Sequence, residues 1–572
     1  MTVKKIDAAY LRDQIVGVDS TFETPFGERL MVYCDYTASG RCLRFVESYL
    51  QSLQRVYANT HTEDDITGRS MSQLLHEAET AIKDSVNAGP NGRIIACGTG
   101  ATGAIEKLQQ IIGVALAPAT RQNIDDMVSG SDLDGLLDGK QPVVFVGPYE
   151  HHSNEISWRQ SLAKTVEVQL DPGGHIDLEH LEKLLQDPAH QGRLRIGSFS
   201  AASNVTGIRT DVCKVATLLH KYDAMACFDF AACAPYIDID MNPTPLEEGD
   251  DAAIDAIFVS PHKFLGGPGS SGVLVFNERI YHRELPPSVS AGGTVDYVGL
   301  DDQDFIGRIE EREKAGTPGV LQTLKAGLVF QIKDRVGVDV INRREHELTQ
   351  RVMKSWGDDE NIEILGNPDP GSRVGIISFN LKDSSGVYLH HKFVTALLND
   401  LFGIQSRAGC SCAGPYGHRL LDIDKDTSER YRNVVQEGFC GMKPGWCRVG
   451  LHWVMDDAEA NYVIETVHFI ARHGRQFLRL YDFDLCTGTW SHRQTAIELA
   501  KFSLDEALSG EDGEPANLSL PLRMQLYDHY MTEATRWANR LDEEPAAEAI
   551  ALEGELGELQ FFSLPANPEP HH

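Results

Sequence analysis

A lysine that could trap an aldehyde stands in the run Val259-Ser260-Pro261-His262-Lys263-Phe264-Leu265-Gly266-Gly267, directly after the apolar stretch Ala256–Ser260. Four more apolar stretches end in reactive groups. Ala224–Phe228 runs into Asp229, and Val143–Gly147 runs into Glu150, His151 and His152. Arg93–Cys97 runs into Gly98-Thr99-Gly100-Ala101-Thr102-Gly103, and Arg195–Ser200 runs into Ser203-Asn204. Each feature alone has a bland reading. A lysine after a strand is usually solvated, an aspartate there is usually a turn residue or helix cap, and glycine-rich turns are common between strand and helix. Together they offer an amine, a carboxylate, an imidazole, an amide, and a helix start whose free N–H groups favour an anion.

That combination is what pyridoxal 5′-phosphate (PLP) requires: an aldehyde-trapping lysine, a carboxylate to keep the pyridine nitrogen protonated, a ring to stack on, and a phosphate site. The elements that must position it are legible as a pattern. From about 30 to 330, short Val/Ile/Phe-rich runs alternate with helical segments such as Ala104–Ile112 and Leu178–Leu185. This predicts an α/β fold with a mostly parallel sheet, and ligands bind beyond the carboxyl ends of such strands. A long helical stretch is expected from Thr323 to about Lys354. After it come a strand at Gly375–Asn380, a helix at His391–Leu401 and a strand near Cys447–His452. The expected division is an N-terminal arm over 1–30, a large PLP-binding domain over 31–325, a smaller α+β domain over 326–475 and an extension over 476–572. Residues 541–572 hold eight acids and no Lys or Arg, which predicts a solvated end. Asn123–Lys140, rich in Asp and Gly, reads as a surface insertion.

Composition narrows the partners. The 572 residues carry 52 basic and 84 acidic side chains, a net charge of −32, which argues against nucleic acid or an anionic membrane as the partner. No run reaches the ~18 apolar residues of a membrane span, and the first residues lack the apolar core of a secretory signal. Eleven scattered cysteines do not suggest a disulfide framework, so a reducing cytoplasm is expected.

These residues resemble the class V aminotransferase fold group of PLP enzymes (fold type I), and within it the cysteine desulfurases and selenocysteine lyases of the Suf-type group. The resemblance covers roughly 30–475. It rests on Ser260-Pro261-His262-Lys263 followed by Gly266-Gly267-Pro268-Gly269, on Glu150-His151-His152-Ser153-Asn154 with Trp158, and on Ser203-Asn204-Val205-Thr206-Gly207. It also rests on Arg407-Ala408-Gly409-Cys410-Ser411-Cys412-Ala413 and on Ala315-Gly316-Thr317-Pro318. It implies that Lys263 binds PLP covalently, that Asp229 pairs with the pyridinium nitrogen and that His151, counted as catalytic with Lys263 and Cys412, stacks on the ring and moves protons. It implies that the Gly100, Ala101 and Thr102 turn, with Ser260 and His262, holds the phosphate, that Thr317 helps from a second subunit, and that Asn204 contacts the ring hydroxyl. Arg448 would clamp the substrate carboxylate, for which a guanidinium is suited, and Arg407 would be a further substrate-binding residue. Asn59 and His61 fall where the family lines the substrate end.

Two departures stand out. The family usually has Gln three residues after the aspartate, where this chain has Ala232, and the loop carries two cysteines, Cys410 and Cys412. The register from Arg407 puts Cys412 at the nucleophile position, with Cys410 as a resolving thiol or a spectator. A metal site with His418 is an incomplete zinc set, so no metal is expected; two structural cysteines are the plain alternative. The resemblance implies a homodimeric enzyme with shared active sites that removes sulfur or selenium from L-cysteine or selenocysteine through a persulfide on Cys412, releases alanine, and hands sulfur to an acceptor protein. The alternatives are a C–S β-lyase, a class V transaminase, or a scaffold on the same fold.

Overall fold

A computed structural model describes residues 6–60, 64–128, 132–137, 139–245, 247–493, 518–543 and 551–564. Contacts divide the chain into two compact units. One is formed chiefly by Thr37–Arg343, and the other by Asp7–Tyr36, Arg344–Gly371 and Gly375 onward.

The first unit is built on a seven-stranded sheet. Its order is Gly92–Cys97, Gly272–Asn277, Ala256–Val259, Met225–Asp229, Arg195–Ser200, Val143–Val146 and Lys164–Glu167. Only Gly272–Asn277 runs against its neighbours. The inner strands Val143–Val146, Arg195–Ser200 and Ala256–Val259 are buried at every residue. A sheet covered on both faces needs such unbroken runs rather than alternation. The register pairs Ser200 with Asp229 and Asp229 with Phe258, so three neighbouring strands deliver their last residues to one edge. The predicted insertion forms the helices Pro118–Met127 and Leu133–Leu136, neither with a buried residue. The single helical stretch expected after Thr323 is two helices, Val320–Val336 and Val338–Gly357, separated at Gly337 (φ 90°).

The second unit has an antiparallel sheet in the order Ile362–Ile364, Ile376–Leu381, Trp446–Gly450 and Arg407–Gly409. Its extent differs from the expected 326–475. The N-terminal arm from Asp7 is part of it, with Arg29 Nε donating to Leu401 O at 2.7 Å, and so are the next residues to Tyr36, where Val32–Tyr33 pairs in parallel with Ile404–Gln405. The described parts of the extension are part of it too. Helix Leu520–Asp542 packs on helix Asp457–Phe477, with Tyr527 stacked on Tyr462 at 4.2 Å. Arg523 pairs with Asp456, and the Tyr530 hydroxyl accepts from the Leu30 N–H.

The solvated end expected over 541–572 is corrected where it is described. Leu559, Phe562 and Leu564 are buried in the core of this unit, while Glu555 and Glu558 pair with Arg430. Average composition hid three apolar residues whose spacing lets them reach the core. Among the described residues no helix is long and apolar enough to cross a membrane. Phe562→Ala is expected to destabilise this unit by about 3 kcal/mol through the cavity it leaves. Urea unfolding followed by tryptophan fluorescence measures it, and a loss below ~1 kcal/mol would mean that the segment only rests on the surface.

Candidate active site

The carboxyl edge of the large sheet encloses a cavity of about 180 Å³. It is lined by Lys263, Asp229, His151, Asn204, Ser260 and His262, together with Gly100, Ala101, Thr102 and Ala232. The sequence-predicted cofactor residues of this unit are thus brought together, Thr317 excepted.

Local geometry explains each placement. The helix Gly100–Ile111 opens at Gly100 with φ 57°, and a Cβ there would lie 2.8 Å from both Ser260 Oγ and His262 Cε1. Only glycine lets this turn close onto the lysine loop. The Ala101 N–H donates to Ser260 Oγ at 2.9 Å, and Thr102 Oγ1 lies 2.7 Å from Ser153 Oγ. Lys263 ends a single turn, Pro261–Lys263, whose backbone is pinned by the Gly40 N–H donating to His262 O at 2.9 Å. Burial and the charge of Lys263 push the His262 imidazole down to about 4, so its ring is neutral at neutral pH.

Asp229 is 4% exposed, and its Oδ1 accepts from the Ala231 N–H at 2.8 Å. Burial raises its proton affinity, while that N–H and the Lys263 charge pull it back. His151 Nδ1 accepts from the Ser153 N–H at 3.1 Å.

Glu150 has a structural part that the motif alone did not reveal. Its carboxylate accepts from the Ser200 N–H, from Ser200 Oγ and from Asn154 Nδ2, each at 2.7 Å. Asn154 Oδ1 in turn accepts from Trp158 Nε1 at 3.1 Å and from Ser198 Oγ at 2.6 Å. This network ties the His151 loop to the adjacent strand.

Other predicted residues lie elsewhere. Asn59 Nδ2 donates to Thr317 Oγ1 at 3.4 Å; both are exposed, and neither lines the cavity. His61 lies outside the described residues. In the second unit, Arg407 and Arg448 face each other on paired strands and share Asp35, which sequence reasoning missed. The visible signal was only an acid after the apolar run Met31–Cys34. Cys410 and Cys412 are both exposed thiols. Ser411 (φ 50°) and Cys412 (φ 58°) are consecutive left-handed residues, a conformation that costs on the order of 1 kcal/mol or more each for a residue with a Cβ. His418, weighed as a metal ligand, directs its ring nitrogens to Gly414 O and Ser428 Oγ, both at 2.7 Å.

Comparison with known proteins decides the family. Residues 126–463 match the family described as aminotransferase class-V. The chain belongs to the class V aminotransferase family. Its fold is that of fold type I, and it is a PLP-dependent enzyme. It is similar to a "probable cysteine desulfurase" of Halalkalibacterium halodurans, at 28% identity over 289 residues. That match spans 50% of this chain and 65% of the relative, just under two thirds of its length. A protein of the same name from Streptomyces coelicolor is 24% identical over 67% of this chain and 84% of its own. The fold is shared with cysteine desulfurases from Thermococcus onnurineus (TM-score 0.59, 20% identity, 77% of this chain and 94% of that one) and Escherichia coli (0.60, 18%, 81% and 98%). The cavity of this class V member fits PLP in its own chemistry: a primary amine, a buried carboxylate, a neutral histidine at a helix start, and a glycine cradle that a Cβ would fill.

Gly100→Ala should weaken PLP binding at least tenfold with the fold retained, measured by cofactor titration; unchanged affinity would mean that the turn has slack. Glu150 has its pKa pushed up to about 7 by burial. A folded-state pKa above the unfolded value of ~4.3 stabilises the fold most at low pH, and that contribution is lost as pH rises through 7. Wild type should therefore lose on the order of 3 kcal/mol relative to Glu150→Gln between pH 4 and 8. Chemical denaturation across that range checks it, and parallel pH profiles would refute it.

Proposed function

We propose that this protein transfers the sulfur of L-cysteine, or the selenium of selenocysteine, to Cys412 and releases alanine. The observation that carries the reading is the exposed Cys412 thiol, held in a left-handed turn five residues after Arg407. Curated relatives named probable cysteine desulfurases support it.

PLP, when bound, supplies the electron sink that makes the substrate Cα proton acidic. Lys263 would anchor it, Asp229 would keep its pyridine nitrogen protonated, and His151 would lie against the ring. Gly100, Ala101, Thr102, Ser260 and His262 would hold its phosphate, with Thr317 reaching in from the other subunit of a homodimer. Asn204 would meet the ring hydroxyl. Arg448 and Arg407 would take the substrate carboxylate. The free Lys263 amine accepts the Cα proton at Nζ. The Cys412 thiolate attacks the substrate sulfur. A bond forms between Cys412 Sγ and that sulfur, the substrate Cβ–S bond breaks, and its electron pair goes to Cβ, which is then protonated. The balance is L-cysteine plus the Cys412 thiol giving alanine plus a Cys412 persulfide, from which an acceptor protein takes the sulfur. All eleven cysteines are unbridged, which suits a reducing cytoplasm.

One observation favours a second reading, β-elimination to pyruvate. Ala232 presents a methyl to the cavity where the family has an amide, so no donor from this position tunes the ring hydroxyl. Product analysis with L-cysteine separates the two. Alanine is the expected product, and Cys412→Ser should lower its formation more than 100-fold with cofactor absorbance intact, while Cys410→Ser retains most of it. Pyruvate with ammonia would establish elimination, a strict need for a keto acid would establish transamination, and failure to take up PLP would leave a scaffold.

A further inference from the structure

Arg407 and Arg448 stand opposite each other on the antiparallel strands Arg407–Gly409 and Trp446–Gly450. One carboxylate lies between them, and it belongs to the chain. Asp35 Oδ2 accepts from Arg407 Nε at 3.1 Å, and Oδ1 accepts from an Arg448 terminal nitrogen at 3.0 Å. The Arg448 side chain is 4% exposed and that of Asp35 16%, so this is a largely desolvated arrangement, open to water chiefly at Arg407. Desolvated charges are screened far less than surface pairs.

The backbone on either side holds Asp35 beside both arginines. The Cys34 N–H donates to Gln405 O at 2.9 Å, two residues before Arg407. The Gly450 N–H donates to Cys34 O at 2.7 Å, two residues after Arg448. The Tyr33 hydroxyl donates to Asp35 O at 3.2 Å, and Tyr36 stacks on His452 at 4.1 Å. These bonds hold the Asp35 backbone in place, so its carboxylate stays within reach of both guanidiniums.

We propose that Asp35 determines specificity by setting the charge of the clamp. Two guanidiniums and one carboxylate leave the trio with one positive charge, enough for one incoming carboxylate. A ligand with a second acidic group brings a negative charge that the trio has no cation left to match, and that Asp35 repels. The clamp thus selects amino acids with a single carboxylate against acidic ones. The inference rests on the reading above in which Arg448 and Arg407 receive the substrate carboxylate.

The test compares dissociation constants of L-alanine and L-aspartate for the PLP-loaded protein by calorimetry, so it does not depend on turnover. Wild type should bind L-alanine more tightly. Asp35→Asn keeps the side-chain shape and removes the charge, and it should move the ratio toward L-aspartate by about tenfold. Arg407→Gln takes the trio from one positive charge to none and should move the ratio the other way by a similar factor. This second variant decides the matter if Asp35→Asn does not fold. A ratio unchanged in a folded variant overturns the role of Asp35 while leaving the amino-acid site intact. Wild type that binds neither amino acid, with PLP in place, overturns the parent reading and this inference with it.

Discussion

The large unit is organised around a carboxylate taken out of water. Asp229 ends a strand between two others, is almost wholly buried, and receives the Ala231 N–H. Burying an ionised carboxylate costs several kcal/mol unless a cation answers it. Burial pulls Asp229 toward its protonated form, and the charge of Lys263 pulls it back. A cofactor whose ring nitrogen is protonated would complete that balance, which is the part proposed for Asp229.

The surrounding residues keep the cavity in shape around that charge. Gly100 permits the helix start to close on Ser260 and His262, and the Glu150 network fixes the loop that carries His151. Glu150 is itself a buried acid, but three donors satisfy it within the fold. The two acids therefore differ in kind. Glu150 is internally complete and structural, whereas Asp229 lines the cavity and has capacity left for a ligand.

The second unit repeats the theme with the signs reversed. Two guanidiniums are matched by one internal carboxylate, which leaves an excess positive charge in a chain whose net charge is −32. A strongly acidic protein can receive an anionic substrate because the attraction is local, set by desolvated groups a few ångströms away rather than by the distant surface. Next to this trio's strand the chain turns through two left-handed residues that present Cys412 to solvent. An exposed thiol gains nothing for packing, which fits the nucleophilic part proposed for it.

Much of this was written in local sequence. Unbroken apolar runs such as Val143–Val146 and Ala256–Val259 announced buried parallel strands, because a strand covered on both faces has no polar side to alternate with. The residues just beyond those runs named the cavity, because a parallel sheet delivers its strand ends to one edge. What the sequence left open depends on partners distant in the chain. Asp35 is an unremarkable acid until tertiary pairing sets it between arginines 372 and 413 residues away. Phe562 and Leu564 sit in an acidic tail whose average composition conceals them, and only the groove they fill makes them core. Glu150 looked like part of a catalytic motif until its three donors were in place. The sequence by itself determined which chemical groups the chain owns and which end of the sheet they reach, since both follow from local pattern. Tertiary structure alone decided which charges meet, since an ion pair is set by position in space and not by distance along the chain.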